Sequence, residues 1–350
     1  MSILIYGATG FTGRLCAHEA AKRKLPVVLA GRNAKKLQKI GADTGLETRT
    51  FDLADTEALE HALADISVVL HIAGPFSATA QSMVSACLRT NTHYLDITGE
   101  IGVFEAHAAL DGAAKKAKIM ILSGVGFDVV PSDCLAAYVH QKLPDATELT
   151  LGITGISAMT RGTAKSGVEG IRFGTRVRRN GKIVELYQPQ LTELDFGQGL
   201  RPAVGMSWGD VATAWHSTGI ANISVFFEAS PQFERVAKLG KFARKFLGTR
   251  LMQGVLKRQM DKIPEGPTEA QMRDGQMTVI AIASNAAGKT VRARLQTPEA
   301  YSFTAKMAID IAQRVVDGAA QPGYQTPSLV FGADYVTGFD RVSRMDITDA

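Results

Sequence analysis

The stretch Ile5-Tyr6-Gly7-Ala8-Thr9-Gly10-Phe11-Thr12-Gly13 decides how this chain is read. Before it, SILIY (residues 2–6) is a short apolar run that reads as a buried strand. After it, Thr12 to Lys24 carries Leu15, Ala17, Ala20 and Ala21 at helical spacing. The three glycines recur every third residue between these elements. Such a turn bends tightly, brings backbone close to a pyrophosphate and seats helix on strand, while the N–H groups opening the helix face the phosphates. Gly7, Thr9, Gly10, Phe11, Thr12 and Gly13 are therefore the expected phosphate seat. A turn with only a structural purpose is the alternative.

Outward from that turn, apolar runs alternate with helical stretches. Strands are expected at Val27 to Ala30, Glu47 to Phe51, Val68 to Ala73, His93 to Ile97 and Ile119 to Leu122. Helices are expected at Lys35 to Ile40, Thr56 to Ala64, Ser82 to Arg89 and Val103 to Lys116. This alternation predicts an α/β, Rossmann-like, doubly wound parallel sheet over residues 1–145. From Glu148 the texture changes. Asn180-Gly181 is a strong hairpin signal, and Thr278 to Ala283 and Thr290 to Gln296 flank another turn, predicting a second, α+β domain with antiparallel hairpins over 146–297. Thr297-Pro298 reads as an N-cap and first-turn proline for a long helix ending before Gly318, within a C-terminal segment 298–350.

The end of the second strand selects the cofactor. An NAD site places an acid about 20 residues beyond the glycines to hold the ribose hydroxyls. Here Arg32 stands nineteen residues after Gly13, with Asn33, Lys35 and Lys36 beside it. A cation there pairs with a 2′-phosphate, which predicts NADP; a solvated surface charge is the alternative. Asp52 and Leu53, at the third strand end, are expected at the adenine edge, unless Asp52 is a helix cap. Ala73, Gly74 and Pro75 follow the fourth strand, where strand order reverses and a cofactor crevice forms.

Composition excludes several classes. The 350 residues carry a net charge of +5, which does not argue for nucleic acid. No apolar run reaches membrane-spanning length, and no signal peptide is evident. Three scattered cysteines suit reduced thiols in a cytoplasmic protein, and the seven histidines lack metal-ligand spacing, so no metal site is expected.

GATGFTG, LAGRN (Leu29 to Asn33), AGPF (Ala73 to Phe76), YLDITGE (Tyr94 to Glu100) and GFDVVPSD (Gly126 to Asp133), in this order, resemble the bacterial saccharopine-dehydrogenase-like oxidoreductases. The likeness covers the first 140 residues and, more loosely, Thr326-Pro327-Ser328. It implies an NADP-binding Rossmann domain, a domain covering the nicotinamide, and a C-terminal segment that returns to the first domain. The family includes saccharopine reductases, which reduce imines, and trans-acting enoyl reductases. The chain departs from the amino-acid enzymes in GFDVVPSD and lacks a dicarboxylate-matched arginine cluster.

Hydride transfer to a C=N or C=C bond of a small or acyl substrate needs a proton donor. Polar residues at the fifth and sixth strand ends are the candidates: Asp96, Glu100 and Asp128 foremost, with Tyr94, Thr98, Ser132 and Asp133 nearby. Loop and turn hydrogen bonding is the alternative for each. Tyr138 and Lys142 have the Tyr-x-x-x-Lys spacing of short-chain carbonyl reductases, with Ser123 upstream, although Tyr138 is expected in the core. A cofactor-sensing or carrier-binding protein without turnover is a further alternative. Glu234 to Lys262 holds nine cations against two acids, interleaved with Val236, Phe242, Phe246, Leu251 and Val255. It reads as a basic amphipathic helix broken near Gly248: a plain surface helix, a substrate lid, or a face for an acidic acyl carrier or anionic lipid. A homodimer is left open.

Overall fold

The computed structural model describes residues 2–156, 160–170, 174–188, 190–229, 234–235, 238–260 and 262–347. Val236 of the basic segment lies outside them. The chain forms two compact units, Met1–Val130 with Tyr301–Val330, and Pro131–Ala300 with Phe331–Ala350.

The first unit is a seven-stranded sheet with every pair parallel. β1 (Ile3–Tyr6) lies centrally, flanked by β2 (Val27–Gly31) and β4 (Val68–His71). β3 (Glu47–Thr50) closes one edge beside β2, while β5 (His93–Asp96) and β6 (Met120–Leu122) extend the other. Gly323–Gln325 adds a seventh parallel strand beside β6. Helices on both faces bury the inner strands, so β1, β2, β4 and β6 are apolar at nearly every position. The edge strand β3 (Glu-Thr-Arg-Thr) remains partly exposed and polar, which blunts its free edge. Helix α1 (Phe11–Lys22) lays Cys16, Ala17 and Ala20 against this core, small side chains that allow close approach.

Three elements differ from the sequence expectation. Helix α4 starts at Phe76 and runs to Thr90, because a carboxylate distant in sequence, Glu100, receives its first amides. The helix expected over Val103 to Lys116 is two, α5 (Ile101–Ala108) and α6 (Asp111–Ala117). The break lets the Asp111 carboxylate accept the Tyr324 N–H at 3.0 Å, tying α6 to the seventh strand. Thr297 and Pro298 do not open a helix: they end a strand, Pro298 opposite Gln276, and the helix runs over Ala300–Arg314. Thr297 donates its hydroxyl to the Pro298 carbonyl at 2.9 Å instead of capping.

The second unit is a mixed sheet built around β7 (Ala146–Thr154). β7 pairs in parallel with Asn222–Glu228 and antiparallel with Gln276–Asn285, which continues through a hairpin into Thr290–Pro298. The Asn180-Gly181 hairpin forms as expected, with Arg179 opposite Lys182 and both turn residues at positive φ (48° and 74°). Among the described residues no helix is long and apolar enough to cross a membrane.

Candidate functional site

The C-terminal ends of β1, β2, β4, β5 and β6 gather most of the residues singled out in the sequence. The glycine turn follows β1. Gly7 adopts φ +93°, and its N–H and that of Ala8 donate to the Ala30 carbonyl at 2.9 and 3.2 Å, fastening the turn to β2. A β-carbon at Gly7 would stand 2.7 Å from the Ala73 nitrogen. One at Gly13 would stand 2.3 Å from the Gly7 carbonyl oxygen. Both glycines are therefore demanded by the protein's own packing, at the topological switch between β1 and β4.

Gly10 is different. It is exposed, has ordinary extended geometry (φ −75°, ψ 170°), and a β-carbon there would meet only the Gly7 oxygen at 3.4 Å. Nothing in the fold requires glycine at that position, whereas a phosphate resting on the turn does. No side chain caps α1, and no described protein acceptor meets the Phe11, Thr12 and Gly13 N–H groups. The turn thus combines open space at Gly10 with three donors that no described protein acceptor meets at a positive helix end, a donor set that fits a pyrophosphate. The Thr9 carbonyl accepts from Arg14 at 3.1 Å, and the Phe11 ring stands edge-on to Tyr301 at 5.8 Å.

Arg32 follows β2 directly. Its side chain is 75% exposed and approaches Asp52 only at 3.9 Å, a surface pair that leaves the guanidinium able to take a second anion. Asn33 spends its side-chain oxygen capping α2 (Ala34–Thr44) through the Lys36 N–H at 3.0 Å. Asp52 accepts from the Ala54 N–H at 2.9 Å, while Asp55 caps α3 (Thr56–Leu63), so Asp52 does not cap that helix. Leu53 packs half-buried on the core. The residues present fit an NADP adenosine with a 2′-phosphate beside Arg32.

The Ala73-Gly74-Pro75 loop is clasped from below. Thr79 has one hydroxyl proton and gives it to the Ala73 carbonyl at 2.6 Å, so it accepts from His71 Nε2 at 3.0 Å. His71 is fully buried and its pKa is lowered to about 3, first by burial and then by His107, which keeps the ring neutral. A β-carbon on Gly74 would make only ordinary contact with the Phe76 ring.

Asp96 and Glu100 are both present at the strand-five end, and both are engaged. Asp96 is fully buried. It accepts from the Thr98 N–H at 3.0 Å, the Gly124 N–H at 2.9 Å and the Tyr94 hydroxyl at 2.9 Å, with His107 Nδ1 at 3.7 Å. Burial raises its pKa and these partners oppose the rise. His107 Nδ1 also meets Ser123 Oγ at 2.7 Å. The Asp96 carboxylate thereby stitches the loop after β5 to the loop after β6. Glu100 accepts from Phe76 N–H at 2.8 Å and Ser77 N–H at 2.9 Å, capping α4 with charge at its positive end. Thr98 and Tyr94 belong to the same scaffold.

Asp128 behaves otherwise. Its loop is held at both ends: Gly124 and Val125 N–H donate to Asp96, and Phe127 N–H donates to Thr304 Oγ1 at 2.9 Å. The Asp128 carboxyl lies over Gly99, where a β-carbon would come within 2.7 Å of its Oδ2. It has no hydrogen bond or ion pair among the described residues. The side chain sits in a recess, partly water-accessible yet surrounded by protein, and burial pushes its pKa up to about 7. A fixed, unpartnered carboxyl titrating near neutrality can take or give a proton.

The remaining candidates are elsewhere. Ser132 donates to Asp210 at 2.9 Å, and Asp133 is buried in the first turn of α7 (Val130–Lys142). Tyr138 is not a core residue: it is half-buried, donates to Asp346 at 3.0 Å and lies under the Arg344 guanidinium at 3.6 Å. Lys142 pairs with the same Asp346 at 2.5 Å. Both polar ends thus hold the C-terminal strand Ser343–Ile347. The sequence reading missed Thr79, His71, Gly99 and Thr304. Gly99 within LDITGE was a usable signal, but Thr304 is 177 positions from Phe127 and has no local one.

Residues 3–122 match the model of the saccharopine dehydrogenase NADP binding domain. A trans-acting enoyl reductase of Mycobacterium leprae is 35% identical over 155 residues, covering 40% of this chain and 36% of that protein. A human saccharopine dehydrogenase-like oxidoreductase is 28% identical over 222 residues, covering 54% and 51%. The matched stretches thus span about a third to a half of these relatives. In structure, the saccharopine dehydrogenase of Saccharomyces cerevisiae superposes with TM-score 0.65 at 11% identity, covering 99% of this chain and all of that one. Homospermidine synthase of Legionella pneumophila also gives 0.65, at 10% identity, covering 99% and 91%; both likenesses concern the fold. Residues 3–122 are thus identified as a saccharopine dehydrogenase-type NADP binding domain.

Proposed function

We propose that the chain is an NADPH-dependent reductase acting on a C=N or C=C bond of a small or acyl substrate, with Asp128 handling the proton. The observation that carries this reading is the Asp128 carboxyl: immobilised by its loop, free of partners among the described residues, and poised at about 7. NADPH, when bound, supplies a hydride but no proton. Reduction of either bond consumes one of each, so the protein or solvent must provide the second. Protonated Asp128 donates to the atom beside the hydride acceptor and is recharged from water through its partly open recess. Asp96 and Glu100 act as positioning residues, the first joining the two loops and the second fixing the start of α4.

The trans-acting enoyl reductases among the relatives support the C=C reading, and the C=N reading rests on the resemblance to saccharopine reductases. The test is NADPH oxidation against a panel of imines, enones and ketones, followed by a pH profile on the best substrate. The expected kcat/KM is flat below neutrality and falls as pH rises through about 7. NADPH binding without oxidation across the panel would overturn the reading in favour of a sensor or carrier-binding protein.

A further inference from the structure

The helices Lys241–Leu247 and Arg250–Met260, in the second unit, present more apolar surface than their own packing uses. The inward side of the longer helix is accounted for. Met252, Leu256 and Met260 are half-buried at four-residue spacing, and Gln253 donates to the Val168 carbonyl of the neighbouring helix Arg161–Gly170 at 2.8 Å. The outward side carries two further pairs, each four residues apart. Phe242 and Phe246 are 89% and 61% exposed, and Leu251 and Val255 are 78% and 43% exposed. A single exposed leucine is ordinary on a protein surface, but four large apolar side chains grouped on adjoining helices are not.

The exposed charge on these two helices has one sign, and the half-buried Glu185 carboxylate lies beside Tyr187 and Arg244. Lys241, Lys245, Arg250 and Arg258 are exposed, and residues 238–260 contain no aspartate or glutamate. The acid just upstream, Glu234, is engaged by Lys238 at 3.0 Å. Lys241 also lies over the exposed Tyr187 ring at 4.9 Å, adding an amphipathic aromatic to the same patch. Exposed rings and aliphatic tips interleaved in sequence with exposed cations suit a deformable apolar phase beneath an anionic surface.

We propose that residues 238–260 form a peripheral docking face for anionic lipid membranes, with Phe242, Phe246, Leu251 and Val255 entering the headgroup–acyl boundary while the cations meet lipid phosphates. No described helix is long enough to cross, so the attachment is interfacial and reversible. The proposal goes beyond the reductase reading and is tested without turnover.

The experiment is co-sedimentation of the full chain with phosphatidylcholine vesicles and with equimolar phosphatidylcholine–phosphatidylglycerol vesicles at low and physiological salt. Binding is expected to be at least about tenfold tighter on the anionic vesicles and to weaken with salt, since each cation near the surface contributes on the order of fivefold. Phe242→Ser with Phe246→Ser, and separately Lys241→Glu with Lys245→Glu, should each weaken binding by about tenfold or more, while thermal melts stay unchanged because these side chains are exposed. Equal binding to neutral and anionic vesicles, or none to either, overturns the proposal. So does undiminished binding by the double serine variant. Capture by polyglutamate at a salt concentration where anionic vesicles are not bound would overturn it in favour of an acidic protein partner.

Discussion

Asp128→Asn offers a test in which function and stability should move in opposite directions. Asparagine keeps the shape of the side chain and removes its charge. In the folded protein the carboxyl is raised to about 7 by burial, with no partner among the described residues to offset the cost. In the unfolded chain an aspartate titrates at about 3.9. Between those values the folded state holds a proton that the unfolded state has released, so stability falls as pH rises from about 4 to 7 and the penalty is complete above 7. The displacement is about three pH units at about 1.4 kcal/mol each, an upper bound of about 4 kcal/mol. Partial access of water to the recess reduces this to about 2 kcal/mol. Asp128→Asn should therefore be more stable than the parent by about 2 kcal/mol at pH 8, and by less than about 0.5 kcal/mol near pH 4. Urea denaturation at the two pH values measures this. NADPH oxidation by the same variant should fall by about a hundredfold or more, the size of a lost general acid. Equal stability at pH 8 would refute the buried, unpartnered state of the carboxyl. A more stable variant with undiminished turnover would refute its part in proton transfer.

Other variants divide the remaining roles. Gly13→Ala places a methyl 2.3 Å from the Gly7 oxygen and should cost about 2 kcal/mol or more in a denaturant melt. Gly10→Ala meets only a 3.4 Å contact, so it should melt within about 0.5 kcal/mol of the parent yet bind NADPH at least about tenfold more weakly by fluorescence titration. Arg32→Glu should weaken NADPH binding by about 2 kcal/mol while sparing NADH; equal losses would place Arg32 in the fold and not in cofactor choice. Tyr138→Phe should leave NADPH oxidation intact and change stability by less than about 1 kcal/mol, because its hydroxyl serves the exposed Asp346 contact; loss of activity would revive the short-chain-type mechanism.

The parallel sheet and the glycine turn were legible locally because both depend on short-range patterns. A strand buried on two faces reads as an apolar run, and a turn fastened to its neighbours needs glycine where a β-carbon would collide. The NADP expectation also came from a local feature, Arg32 at a strand end. The catalytic candidates could not be ranked in the same way. Asp96, Glu100 and Asp128 are three acids within 33 residues, and nothing in their neighbourhoods distinguishes a scaffold carboxylate from a free one.

That distinction belongs to the tertiary structure. Asp96 receives amides from its own loop and from Gly124, and Glu100 reaches back 24 residues to the start of α4. Among the described residues Asp128 is left unpaired, in a loop braced by Thr304, 177 positions from Phe127 in the chain. The same long-range accounting moved Tyr138 from the expected core to a clasp on the C-terminal strand, and it began α4 six residues before Ser82. By itself the sequence determined the inner parallel strands and the glycine turn after the first of them, since these follow from the periodicity and sterics of neighbouring residues. Which carboxyl stands without a hydrogen-bond partner among the described residues was decided only by folding, because hydrogen-bond partners and desolvation come from parts of the chain that the sequence holds far apart.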